Sequence, residues 1–170
     1  DLCDRFNQRL HTANYASIDA SDNGLQIGIT DQEVDRVAFA VDGDLKTIER
    51  ASEFDADVLV VHHGLLWGGD GRITGLRYRR VRALLEADIA LYAVHLPLDG
   101  HQELGNAAGI ADLLNLQNRE PFGEIDGQYI GQSGHFADAR DIYSVAQRLG
   151  EKVDTGGSDV EVLDFGPERI

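Results

Sequence analysis

The chain has 170 residues, of which 42% are hydrophobic and 7% aromatic, and its formal net charge is −15. This composition favours a folded domain with a buried core over an intrinsically disordered chain. It argues against nucleic acid as a partner, which needs clustered Lys and Arg, and against a membrane protein, which needs spans of about 20 apolar residues.

The first part of the chain alternates predicted strands with predicted helices. Leu2, Phe6 and Leu10 recur at helical spacing and predict a helix over residues 2–14. Strands are predicted at 25–28, 34–41, 57–61 and 89–94, and further helices at 45–53, 78–87 and 103–114. This order predicts an α/β fold with a largely parallel or mixed sheet flanked by helices.

Beyond residue 119 the pattern changes. A strand is predicted at 129–134, a helix capped by Asp138 at 139–149, and another strand at 160–163. The predicted domains are therefore an N-terminal α/β domain at 1–118 and the start of a second α/β unit at 119–170. We expect that second unit to be incomplete.

Polar, metal-competent residues follow three of the predicted strands. They are Asp42, the pair His62 and His63, and His95 with Asp99. Ligands of open α/β sheets bind beyond the carboxyl ends of the strands, so these side chains should converge. Neutral imidazole and carboxylate are typical ligands of divalent ions. Because successive side chains on a strand alternate faces, the adjacent histidines should serve two neighbouring ions rather than one.

Other polar residues carry weaker signals. Asp42 also lies in Asp-Gly-Asp, which is typical of a turn and a helix cap. His11, His101 and His135 are expected to be solvated. The glycine-rich loop at 68–72 could cradle a phosphate, but it matches neither the P-loop nor GxGxxG, and an ordinary surface loop is the alternative.

Covalent catalysis by Ser or Cys is not expected. The sequence contains no GxSxG motif, and Cys3 on a predicted N-terminal helix is a poor candidate nucleophile.

Four ordered segments carry a resemblance to a known family. They read DNGLQIG at 22–28, VHHG at 61–64, YAVHLPLD at 92–99 and ELGN at 103–106. Up to about residue 116, this pattern resembles the Nif-three-like dinuclear-metal-centre proteins, often named type 2 GTP cyclohydrolase I, and its YbgI-like bacterial branch.

The resemblance implies a site and an assembly. It implies that His62, His63 and Asp99 coordinate two divalent ions and that His95 lies at the same site. The family's other ligands come from a C-terminal His-x-x-x-Glu motif, which does not occur here. We therefore expect a C-terminal part to be absent from this sequence. Family members assemble as toroidal hexamers, so a homo-hexamer is implied.

Two classes of function remain open. The first is a metal-dependent hydrolase with a small-molecule substrate, for example a nucleotide such as GTP, in which two ions activate water and His95 transfers protons. The second is a non-catalytic hexamer that handles metal or regulates a partner. His and carboxylate ligands suit Zn, Mn, Fe or Ni, so neither the metal nor the substrate follows from the sequence.

Composition also indicates a cellular compartment and a type of source organism. A lone Cys3 cannot form an intramolecular disulfide, which is typical of the cytoplasm. Lys46 and Lys152 are the only lysines, and Asp outnumbers Glu. Such acidic surfaces favour solubility where salt screens repulsion, so we expect a salt-loving source.

Leu66 and Trp67 are candidate subunit contacts; the alternative is that Trp67 packs on its own sheet.

Overall fold

The computed structural model describes residues 1–31, 33–69, 71–153, 156, 159–167 and 169–170. The chain forms two compact units, Asp1–Leu98 and Asp99–Ile170. This division falls before the predicted boundary at residue 118, because the helix Asn106–Leu114 packs with the strands and helix that follow it. No helix among these residues is both long and apolar enough to span a membrane.

The first unit alternates strands and helices as predicted. In chain order it contains α1 (Leu2–Leu10), a 3₁₀-helix (Thr12–Tyr15), β1 (Gly24–Ile27), β2 (Val37–Asp42), α2 (Leu45–Glu53), β3 (Val58–His63), α3 (Gly75–Glu86) and β4 (Ala90–Ala93). The first predicted helix ends early because His11 adopts the left-handed conformation, with φ 51°. A short helix, α4 (Leu96–Asp99), was not expected and contains the division between the units.

A mixed four-stranded sheet forms the centre of this unit. Its strand order is β1-β4-β3-β2, in which β2, β3 and β4 are parallel and β1 is antiparallel to β4. The predicted fold class is confirmed. Because β3 and β4 are parallel neighbours, their carboxyl ends lie at one edge of the sheet.

Both faces of the central strands are buried. On β3, Leu59 and Val61 belong to a core cluster with Ile48 of α2 and Leu84 of α3. Val58 and Val60 belong to a second cluster that includes Leu10 of α1. This two-sided burial explains why the strand reads as a continuous apolar run rather than an alternating one.

Tyr92 anchors α1 to the sheet. Its side chain is fully buried, its ring lies 5.2 Å from that of Phe6, and its hydroxyl donates to Asn7 Oδ1 at 2.8 Å. Burial raises the pKa of the Tyr92 hydroxyl, so the group stays a neutral donor.

The second unit is built differently from the prediction. It contains α5 (Asn106–Leu114), the antiparallel pair β5 (Gln117–Ile125) and β6 (Gln128–His135), and α6 (Ile142–Lys152). The turn residues Asp126 and Gly127 both have positive φ, which suits a tight hairpin. The predicted β, α, β order is therefore wrong for this part of the chain.

Two local predictions in this unit are also corrected. Residues 160–163, which the structure describes, form no strand, and Leu163 is 70% exposed. An apolar run needs a partner strand to become a sheet, and none pairs with these residues in the described structure. Helix α6 is capped by Asp141 rather than by Asp138, and Asp141 accepts hydrogen bonds from the backbone N–H groups of Tyr143 and Ser144.

Two adjacent leucines of α3 provide a test of this core. Leu84 is 0% exposed and Leu85 is 65% exposed. We expect Leu84→Ala to lower the free energy of unfolding by about 2–5 kcal/mol, because it leaves a cavity. The matched control Leu85→Ala should change it by less than about 0.5 kcal/mol. Urea unfolding measures both, and equal losses would contradict this description of the core.

Candidate metal centre

Three histidines converge at the carboxyl edge of the sheet. His62 and His63 end β3, and His95 follows β4 by two residues. The ring centroids of His62 lie 4.6 Å from His63 and 4.9 Å from His95, and those of His63 and His95 are 5.7 Å apart. One ligand atom from each ring lies within 4.8 Å of the other two. These residues form the histidine cluster.

The positions of the two adjacent histidines bear on one expectation. Alternation along a strand predicted that His62 and His63 would serve two neighbouring ions; their ligand atoms lie within 4.8 Å of each other and of that of His95, and the number of ions stays a prediction. Each ring is held at its Nδ1 atom by a different oxygen, from Val94 after β4, from Asp42 at the end of β2 or from Asp19 before β1. These hydrogen bonds orient the three rings.

The anchoring oxygens also set the tautomer of each ring. The distances to Nδ1 are 3.0 Å from Val94 O to His62, 2.7 Å from Asp42 Oδ1 to His63, and 2.9 Å from Asp19 Oδ1 to His95. A carbonyl or carboxylate oxygen only accepts, so each Nδ1 donates. In a neutral ring, Nε2 then carries the lone pair that can bind a metal, which is the usual arrangement around metal-binding histidines.

Asp42 holds His63 near the surface. Asp42, predicted as a candidate metal ligand, is the last residue of β2. Its carboxylate contacts the His63 ring and is not part of the histidine cluster. The Asp42 side chain is 62% exposed and that of His63 is 44% exposed. A solvated pair of this kind orients the ring but adds little stability.

Asp19 is a site residue that the sequence analysis missed. Its side chain is 0% exposed. Four donors contact its carboxylate: Ser21 N at 2.9 Å, His95 Nδ1 at 2.9 Å, Asn23 Nδ2 at 2.8 Å and Leu96 N at 2.9 Å. Burial by itself would raise the pKa of the Asp19 carboxyl, but these hydrogen bonds, that from Asn23 foremost, outweigh it and lower the pKa below its usual value. The group is therefore a buried carboxylate.

The segment at 22–28, noted for its resemblance, has a structural role. Asn23 Oδ1 accepts from His95 N at 2.7 Å, so Asn23 contacts both His95 and Asp19. Gln26 Oε1 accepts from Leu65 N at 2.7 Å and from Leu66 N at 3.1 Å. This segment thus fixes the loops that follow both histidine-bearing strands.

Gly64 has no room for a side chain. A Cβ atom there would overlap the Gln26 side chain and would lie 2.5 Å from the Cβ of Ala93. The glycine after the two histidines is therefore required by packing against β4 and Gln26.

Trp67 packs beside the cluster. Its Nε1 donates to Gly64 O at 2.9 Å, and its ring centroid lies 4.9 Å from that of His95. Both partners follow strands of the same sheet, in line with the alternative that Trp67 packs on its own sheet, and its role as a subunit contact stays a prediction. Asp70, in the loop considered for phosphate, lies outside the described residues, so that idea also stays a prediction.

The remaining predicted residues are placed as follows. Asp99 ends α4, and its Oδ1 accepts from Asn106 Nδ2 at 2.6 Å; its role as a metal ligand stays a prediction. His11 ends α1 and is exposed, His135 ends β6 and is exposed, and His101 Nδ1 accepts from Glu103 N and Leu104 N.

The donor set fits a divalent metal. Three imidazoles with Nδ1 anchored offer borderline nitrogen ligands on rigid strand ends, which suits Zn and neighbouring transition metals. The fold and the site together define an α/β protein with a candidate metal centre at the edge of its sheet.

The chain belongs to the Duf34/NIF3 family (NGG1p interacting factor 3), whose family profile matches residues 1–170. This confirms the resemblance carried by the four segments.

Curated relatives support the assignment. The chain is 48% identical over 170 residues to the "GTP cyclohydrolase 1 type 2 homolog" of Halobacterium salinarum, covering 100% of the chain and 66% of the relative. It is 46% identical over 152 residues to the protein of the same name from Pyrococcus horikoshii, covering 89% of the chain and 60% of the relative. The chain thus spans less than two thirds of the length of these relatives.

Solved structures share the fold. The protein ybgI, described as of unknown function, matches with a TM-score of 0.81 at 31% identity, over 99% of this chain and 65% of that one. TTHA1606 from Thermus thermophilus matches with a TM-score of 0.79 at 35% identity, over 88% of this chain and 59% of that one.

The buried carboxylate generates a pH-dependent prediction. The pKa of Asp19 is lower in the folded chain than in the unfolded chain, so the ionised carboxylate stabilises the fold. This stabilisation is present above the unfolded-state pKa of the carboxyl and is lost as pH falls below about 4 toward the folded-state pKa. Asp19→Asn should lower the free energy of unfolding at pH 7, since either orientation of the amide turns its NH₂ group toward donors. The difference from wild type should shrink at pH 3.

Urea unfolding at both pH values measures this difference. Asp42→Asn is the matched control, because its carboxylate is exposed and should matter little at either pH. A difference between wild type and Asp19→Asn that is as large at pH 3 as at pH 7 would contradict the prediction.

Proposed function

We propose that this chain carries the metal-binding part of a metal-dependent hydrolase. The observation that supports the proposal is the histidine cluster, in which each Nδ1 is held by an oxygen and the ligand atoms lie within 4.8 Å of one another.

Each part of the chain has a defined task in this proposal. His62, His63 and His95 would hold the ion through Nε2, while Val94 O and the carboxylates of Asp42 and Asp19 keep the rings oriented. When bound, a divalent ion supplies Lewis acidity that makes water a better nucleophile at neutral pH. The proposed metals are Zn, Mn, Fe or Ni.

A second ion is part of the proposal. It would use Asp99 together with ligands of the His-x-x-x-Glu type, a motif that the 170 residues do not contain. The family resemblance supports this dinuclear centre, and the proposed substrate is a nucleotide such as GTP, after the name that the relatives carry. Water would then open the imidazole ring of the purine.

His95 has two candidate roles that exclude each other at Nε2. Its place in the cluster supports a ligand role, whereas proton transfer, the role predicted from the sequence, needs an Nε2 that no metal occupies. We expect His95→Gln to lower bound Zn as much as His62→Gln does. His135→Gln, at an exposed position outside the cluster, is the control. Elemental analysis and competitive titration with a chelator measure the change.

The same variants test the hydrolase itself. Natural full-length protein loaded with each metal is assayed against GTP, phosphoesters and cyclic amides. Loss of both metal and turnover in His95→Gln supports the ligand role, and retained metal with lost turnover supports proton transfer instead. Bound metal without turnover of any substrate would reject the hydrolase in favour of a metal-handling or regulatory protein.

We further propose a cytoplasmic homo-hexamer from a salt-rich setting. The net charge of −15 and the similarity to a Halobacterium salinarum protein support the salt dependence. Like charges repel copies of the chain unless salt screens them, so the hexamer should form at molar salt and dissociate toward smaller species as salt is removed. Light scattering of the full-length protein across a salt series measures this; a monomer at every ionic strength would reject the ring.

A further inference from the structure

Trp67 lies at the side of the histidine cluster and takes no part in holding the rings through their Nδ1 atoms. It is the only tryptophan of the chain. The planes of its ring and of the His95 ring meet at 70°, and its centroid lies 6.3 Å from that of His63. The side chain is half-buried, so part of a large aromatic ring stays accessible beside the candidate metal centre.

Three hydrogen bonds hold the ring and the backbone on either side of it. Its Nε1 donates to Gly64 O at 2.9 Å. On either side along the chain, Leu66 O accepts from Asp22 N at 3.1 Å and Gly68 N donates to Ala20 O at 2.7 Å. A side chain fixed before its ligand arrives loses little conformational entropy on binding.

Two glycines, Gly68 and Gly69, follow this ring along the chain. Both have positive φ, a backbone conformation that glycine adopts without strain. The two positions directly after Trp67 therefore place no side chain against the indole.

We propose that Trp67 is the stacking platform for a planar heteroaromatic ring, that of a purine base, next to the histidine cluster. The inference rests on the proposed hydrolase and names the part of the substrate that this surface recognises. Aromatic side chains stack on bases by their π-faces. A chain with net charge −15 repels phosphate, so the base rather than the phosphate should provide the affinity.

Tryptophan fluorescence tests the proposal directly. Because Trp67 is the only tryptophan of the 170 residues, the difference in emission between the full-length protein and its Trp67→Phe variant reports on this ring. Guanosine should quench it with saturation, and ribose 5-phosphate, which lacks the base, should not. Equal quenching by ribose 5-phosphate, or no saturable quenching by guanosine, would overturn the proposal.

Two variants separate stacking from packing. Trp67→Phe keeps an aromatic face, so its guanosine affinity by calorimetry should stay within a few-fold of wild type. Trp67→Leu keeps apolar volume without a face and should bind guanosine on the order of 10–100-fold more weakly. Phe39→Leu, at an aromatic residue that is 71% exposed on β2, is the control. Equal affinity of Trp67→Leu and wild type would overturn the proposal.

The outcomes also distinguish this inference from the hydrolase. Saturable quenching by guanosine without turnover of any substrate supports the platform and rejects the hydrolase. Turnover of a substrate together with unquenched Trp67 supports the hydrolase and rejects the platform. Emission that follows protein concentration instead of guanosine would identify Trp67 as a subunit contact and overturn the platform.

Discussion

The buried carboxylate of Asp19 is the interaction on which the candidate centre depends. A charge without exposed surface is tolerated in a protein interior only when hydrogen bonds replace its water. Here the donors come from the loop before β1 and from the junction between β4 and α4. One group therefore joins two segments, orients the His95 ring and fixes the backbone N–H of Leu96 at the start of α4.

The three rings of the cluster are held by unequal partners. His62 contacts a backbone carbonyl, His63 an exposed carboxylate and His95 a buried carboxylate. The buried carboxylate is the least screened by water, so its hydrogen bond to the ring competes least with solvent. The three imidazoles of the cluster are thus oriented by three different kinds of partner.

The sequence predicted those features that depend on local pattern. Parallel strands ending in histidines follow from continuous apolar runs, and α2 was predicted at its observed limits, 45–53. β5 was missed because it is mostly exposed and contains Pro121, and the apolar run at 160–163 was mistaken for a strand. Asp19 has no local signal of a site role, since that role comes from its contact with His95, which is distant along the chain.

The hydrogen bond between Asp19 and His95 joins residues 76 positions apart. Closing so long a loop costs chain entropy, which only a formed sheet repays. Asp19 precedes β1 and His95 follows β4, so the pairing of β1 with β4 is what brings the two side chains together. The candidate centre is therefore complete only when the sheet is formed, and an ion that binds this edge alone would stabilise the folded chain over the unfolded one.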